Sequence, residues 1–204
     1  NGVNVEHMME RSGKTAHTDI DVLPSGDRMF VFEDFGVCAG YRPSDADIAV
    51  LKTMDHIHIG WLDDGGALRR ALAAAGVSVS QDISVNADPA NLGVEGLSVA
   101  FGSADGGEMA ERMASELLVR GAGIAVVTCG ADGSYAATRT ASARTGIKPV
   151  DVVDTTGAGD SFIAGFLAEH IAGGSLQQAI ERGRDRAALT CAHVGGFSQD
   201  APPL

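Results

Sequence analysis

Asp154-Thr155-Thr156-Gly157-Ala158-Gly159-Asp160-Ser161-Phe162 stands near the C-terminal end and concentrates the residue types that could do chemistry. Glycines at alternate positions let the backbone turn its N–H groups toward one point. A helix starting behind them aims its positive end at the same point. Such a cradle suits an anion. A carboxylate at Asp160 repels that anion unless it has a task, and the task that fits is taking a proton from an attacking hydroxyl. The competing reading is that Asp160 caps the helix through the N–H groups of its first turn. The stretch is expected to run strand, glycine turn, helix start.

Other candidates are weaker. The loop Cys129-Gly130-Ala131-Asp132-Gly133-Ser134 follows a continuous apolar run, 123–128, and taken alone is equally well a simple turn. His56 and His58 are two apart on one face of a strand, but no third ligand stands nearby, so they read as polar edge residues rather than a metal site. Asp82 closes a strand at the end where ligands gather in parallel sheets, and is a minor candidate. Cys38, Cys129 and Cys191 are odd in number and lack C-x-x-C spacing, which favours reduced thiols packed in the core.

The chain has 204 residues, 45% of them hydrophobic, with a formal charge of −12. That length buries one substantial core. The negative charge argues against a nucleic-acid or anionic-membrane surface, so any phosphate site must be built locally from amides and metal ions. No apolar run approaches a membrane span and no signal peptide is visible, so a soluble, cytoplasmic protein is expected.

Several elements must position these residues. Residues 15–22 alternate like a half-buried strand, a turn is expected at 24–27, and 28–32 form a second strand, giving an antiparallel pair. Ser44 caps a helix over 45–54 with Asp47 as its N3 acid. A strand at 55–59, a helix at 67–75 ended by Gly76, and strands from 77 and at 97–101 follow. The helix at 108–120 is expected to present Met109, Met113 and Leu117. After the strand at 123–128 come a hairpin at 135–147, a helix carrying Phe162, Ile163, Phe166 and Leu167 on its apolar stripe, and a last helix opened by a Ser175–Gln178 capping box. Alternating strands and helices predict an α/β fold: a doubly wound, mostly parallel sheet of 43–204 with a small β lid in 1–42.

The signature over 154–162, together with the loop 130–134, closely resembles the ribokinase-like (PfkB) carbohydrate kinases, nearest their fructoselysine 6-kinase and fructokinase branch. The resemblance implies an ATP-dependent phosphotransferase acting on a hydroxyl of a sugar or sugar derivative. Asp160 would be the base, and the Gly157, Ala158 and Gly159 amides the anion hole. Thr128, Gly130, Gly133 and Gly195 would contact the nucleotide. Mg²⁺ would accompany ATP, and K⁺ would be held around Asp154, Thr156 and the Gly195 loop. It also implies a sugar partner and a homodimer through the lid, with Phe30 and Phe32 on the contact surface.

Three departures from the family pattern stand out. The family's N-terminal strand and Gly-Gly-x-x-x-Asn segment are not found, so the chain is expected to start mid-domain. Ser103-Ala104-Asp105-Gly106 replaces the usual Asn-x-x-Glu, with Asp105 or Glu108 as possible substitutes. Arg184-Asp185-Arg186 stands where small residues usually face adenine, and these cations either crowd the base pocket or face solvent. A catalytically silent nucleotide-binding protein is the alternative function. A Rossmann oxidoreductase fits worse, because its glycine turn would follow the first strand.

Overall fold

The computed structural model describes residues 2–22, 28–85 and 88–197. Strand β1 (His17–Val22) pairs antiparallel with β2 (Arg28–Asp34) as a two-stranded sheet of its own. The turn expected at 24–27 lies outside the described residues. Helix α1 (Asp45–Leu51) starts at the expected capping box: Ser44 Oγ accepts the Asp47 N–H at 3.2 Å, and Asp47 Oδ2 accepts the Ser44 N–H at 2.8 Å.

The main sheet has the order β3 (His56–Ile59), β4 (Ser78–Asp82), β5 (Val99–Ser103), β6 (Ile124–Thr128), β7 (Ser134–Ala137), β8 (Ser142–Thr145). β3 to β6 run parallel, and β7 and β8 return antiparallel as a hairpin. Adjacent apolar residues on β6 serve opposite faces, as the pleat demands. Val127 joins Leu72, Val79 and Leu117 under α2 (Ala67–Ala74) and α3 (Gly107–Val119). Val126 joins Val99, Phe101, Phe162 and Ile180 under α4 (Ala158–Ile171) and α5 (Leu176–Cys191). Two helical layers therefore cover the sheet, each sealing its own core.

Helices α4 and α5 approach closely where both carry glycine. A Cβ on Gly165 would stand 2.7 Å from the Arg182 carbonyl oxygen, and one on Gly183 would stand 2.9 Å from that of Phe162. The Ser175–Gln178 box opens α5 as expected, and Phe162, Ile163, Phe166 and Leu167 are all buried on α4.

Two expectations are corrected. No strand precedes the glycine turn: 146–157 runs as irregular chain. Pro149 has no N–H for a ladder, and the Val153 and Asp154 N–H groups go instead to the Cys191 carbonyl, at 2.8 and 3.3 Å. On α3 the buried face is Ala110, Ala114 and Leu117, while Met109 is exposed. Small alanines let this helix lie close to the sheet, and the long Met109 is turned outward.

All three cysteines are free; Cys129 is buried, and burial raises its thiol pKa, keeping it protonated. Among the described residues no helix is long and apolar enough to cross a membrane.

Candidate active site

The glycine turn is shaped by what lies behind it. Gly157 is the N-cap of α4 with φ +74°, and a Cβ there would fall 2.6 Å from Gly196 Cα. Only glycine satisfies both constraints. Asp154 clips the same two segments together: its Oδ1 accepts the Thr156 N–H at 2.8 Å and its Oδ2 accepts the Gly195 N–H at 3.0 Å. Asp154, Thr156 and Gly195, the residues singled out for a monovalent cation, thus meet in one place. Among the described residues no cluster of three or more His, Cys, Asp or Glu side chains is placed to hold a metal ion.

At the helix start, the Ala158 N–H turns to the Thr155 carbonyl at 3.2 Å. The Gly159 and Asp160 N–H groups have no acceptor among the described residues, as expected of first-turn amides. Gly159 has open space where a Cβ would be. Asp160 is exposed and caps nothing; α4 has no side-chain cap at all. The capping reading of Asp160 is therefore excluded by geometry.

A cavity of about 650 Å³ opens beside this turn. At one end it is bounded by Thr155, Ala158 and Gly159, and it runs past Thr128, Gly130 and Gly133 toward Pro149, Val150, Ala187 and Arg184. Gly130 and Gly133 both take positive φ, and a Cβ on Gly133 would collide with the Thr145 carbonyl oxygen. The Thr128 hydroxyl donates to the Gly102 carbonyl at a long 3.4 Å, so it is weakly committed. Thr128, Gly130, Gly133, Ala158 and Gly159 thus share one cavity wall, with Gly157 behind it. Gly195 reaches the site through Asp154 rather than by lining the cavity.

Sequence reasoning missed a row of hydroxyls, three of which, Ser103, Thr128 and Ser134, line this cavity. The strand register aligns Ser103 with Thr128, Thr128 with Ser134, and Ser134 with Thr145. Each stands two residues from an apolar residue of the α4/α5 core, so the four hydroxyls form a row on one face. Only the pairing, which the sequence does not display, brings them together.

A second cavity, of about 680 Å³, lies between the lid and the loops after β3 and β4, with Asp34, Trp61 and Val85 on its walls. Phe35 stacks on Trp61 at 4.0 Å between centroids, tying the lid to the main sheet. The two histidines of edge strand β3 share the Ser80 hydroxyl, which lies 2.8 Å from His56 Nε2 and 2.9 Å from His58 Nδ1. The His58 residue surface stays open to solvent, yet its ring is bracketed by protein. Desolvation lowers its pKa, opposed by the negative charges of Asp82 and Asp160. Desolvation likewise lowers that of His56, with His58 and His170 adding to the effect.

A mostly parallel sheet sealed on both faces, with an amide cradle and an exposed acid at one helix start, is the ribokinase-like α/β architecture. The solved structure of an Arabidopsis thaliana ribokinase complexed with ribose and ATP superimposes with a TM-score of 0.77 at 20% identity, over 90% of this chain and 65% of that one. The chain matches the description "pfkB family carbohydrate kinase" over residues 95–202. It is 37% identical to fructoselysine 6-kinases of Shigella flexneri and Escherichia coli over 199 residues, 96% of this chain and 76% of theirs. The chain belongs to the PfkB family of carbohydrate kinases.

Proposed function

We propose that the protein transfers the γ-phosphoryl group of ATP to a hydroxyl of a sugar or sugar derivative, of the fructose or fructosamine type. The observation that carries this is Asp160: an exposed carboxylate in the first turn of α4, unused as a cap, adjoining the open Gly159 amide at the end of a cavity. A carboxylate placed beside anion-seeking amides costs phosphate affinity unless it removes a proton. The likeness to fructoselysine 6-kinases supports the acceptor class.

In this reading the nucleotide lies along the larger wall of glycines. Thr128, Gly130 and Gly133 sit against its phosphates, Gly195 steadies the turn through Asp154, and the turn Gly157-Ala158-Gly159 faces the transferring group with the Gly159 amide uncommitted. Phosphoryl transfer needs positioning and charge neutralisation more than covalent help. Asp160 aligns the acceptor hydroxyl and accepts its proton. Mg²⁺ supplies counter-charge to the triphosphate when bound. Asp154 and the carbonyls near Thr156 are oxygen donors of the hard type K⁺ takes, which suits a cation that stiffens the turn. Residues 1–42 act as the lid and 43–204 as the nucleotide-binding core. Exposed Phe32 on β2 supplies an apolar contact for a homodimer through the lid; the side chain of Phe30 lies outside the described residues. In this reading the work is done in the cytoplasm.

The test is ADP release across a panel of sugars and fructosamines, with Asp160→Asn alongside the wild type. The variant should lose about 10²- to 10⁴-fold in turnover with nucleotide affinity changed little. Wild-type nucleotide binding without turnover on any acceptor would instead establish the catalytically silent reading.

A further inference from the structure

The cavity beside the glycine turn also holds a feature that the turn does not explain. Arg184 lines it, and its guanidinium is held from two sides. Nε and Nη2 lie 2.9 and 2.8 Å from Asp185 Oδ1, and Nη1 donates to Thr145 Oγ1 at 3.0 Å. Lys148, which also lines the cavity, places Nζ 3.5 Å from Asp185 Oδ2. Asp185 thus anchors both cations, and the guanidinium plane is fixed. A guanidinium has five N–H bonds; Asp185 and Thr145 take three, so two remain for a ligand. Arg186 plays no part here: it lies on the opposite side of α5, against Gly165.

The fold sets the distance from Arg184 to the phosphate end. Cys191, whose carbonyl holds Val153 and Asp154 beside the glycine turn, lies seven residues along α5 from Arg184, about 10 Å at the helical rise. The hydroxyl row gives a matching measure. Three strand spacings separate Ser103 from Thr145, about 14 Å. A nucleotide with its phosphates at Gly159 therefore places its base, not its phosphates, beside Arg184. A second observation marks the same row as a ligand surface. The Ser134 hydroxyl, midway along the row, is 5% exposed, lines the cavity, and has no hydrogen-bond partner. A buried hydroxyl left unpaired is costly, and a ligand oxygen would satisfy it.

We infer that Arg184 is the residue that reads the nucleobase, and that it favours purines carrying a carbonyl at position 6, so that GTP and ITP serve as well as ATP or better. This rests on the cavity being the nucleotide site. A donor-only fork matches two adjacent acceptors such as O6 and N7 of guanine, whereas adenine opposes it with an amino group at the same place. Ser134 contributes a hydroxyl to the sugar–phosphate portion between base and turn, without discriminating bases.

The experiment needs no sugar. N-methylanthraniloyl-ADP bound to the wild-type chain is displaced by ATP, GTP and ITP, and the three affinities are compared with those of Arg184→Ala and Arg184→Lys. GTP and ITP should bind the wild type at least as tightly as ATP. Both variants should weaken GTP and ITP about tenfold or more, with ATP moved far less. Arg184→Lys keeps the charge and most of the packing, so it decides the matter if the alanine variant does not fold. Equal weakening of all three nucleotides, no weakening, or a wild-type preference for ATP overturns the assignment while leaving the nucleotide site intact. Failure of the probe to bind the wild type removes the site and the assignment together.

Discussion

Two glycines in one turn should respond oppositely to the same substitution, and the contrast tests whether each is there for the fold or for the ligand. At Gly157 an alanine meets two obstacles. Its φ of +74° costs an L-residue about 1–2 kcal/mol, and its Cβ would lie 2.6 Å from backbone at Gly196. That overlap cannot be relieved by a side-chain rotation, so overpacking adds about 1–3 kcal/mol. Gly157→Ala should therefore lose about 2–5 kcal/mol, which for a chain of this size lowers Tm by roughly 4–20 °C. Gly159 is different: its φ is not positive, a Cβ meets nothing within 4 Å, and it stands inside a helix. There alanine should raise stability by up to about 1 kcal/mol. If a phosphoryl group approaches the Gly159 amide, the added methyl intrudes on the ligand, and Gly159→Ala should fold well yet bind nucleotide and turn over poorly. Differential scanning fluorimetry with and without ATP, beside the ADP-release assay, reads both effects. A stable, fully active Gly157→Ala would refute the packing argument. A stable, fully active Gly159→Ala would show that no ligand comes close to that amide.

Two further outcomes concern stability. His56 and His58 have folded pKa values held below the usual 6.5, chiefly by desolvation. The unfolded chain takes up their protons first, so their contribution is intact above about pH 6.5 and is lost as pH falls through the lower folded values. Tm should decline from pH 7 toward pH 5, and the decline should flatten in a His56→Gln, His58→Gln double variant; an identical slope in both proteins would exclude these rings. Ser175→Ala removes the acceptor for the Gln178 N–H and its partner in the box, and should cost about 1 kcal/mol, seen as a Tm lower by roughly 2–4 °C.

The elements were legible because their signals are local. Ser44–Asp47 and Ser175–Gln178 announce helix starts through side chains three residues apart, and both boxes are formed. The run 123–128 needs apolar residues on both pleats, and both Val126 and Val127 are buried. The placement of Asp160 in the first turn of α4 was legible for a related reason, since glycine, glycine and acid fall within four positions. What escaped depends on partners distant in sequence. The missing strand before Gly157 was lost to a carbonyl 37 residues away at Cys191. The α3 stripe failed because Met109 and Ala110 are both apolar, and only the closeness of the sheet decides which turns inward. Arg184 could not be assigned to cavity or solvent until Thr145, on another strand, was seen to hold it.

Charge placement gives these pieces a common logic. The chain carries −12 overall, yet the cavity beside the glycine turn has two cations on its walls, Lys148 and Arg184, and both cluster at Asp185. The opposite end offers amides and hydroxyls, with Asp160 just beyond. A triphosphate placed there gains helix-start and amide stabilisation but no side-chain counter-charge, so its own divalent cation must supply the remainder. A lysine or arginine at that end would bind phosphate more tightly, but it would also pair with Asp160 and lower the proton affinity that a base requires. If the proposed nucleotide site and the base role of Asp160 hold, keeping cations at the Arg184 end leaves Asp160 free to take a proton while they fix the nucleotide's orientation, so that binding strength and reactivity are set apart from one another.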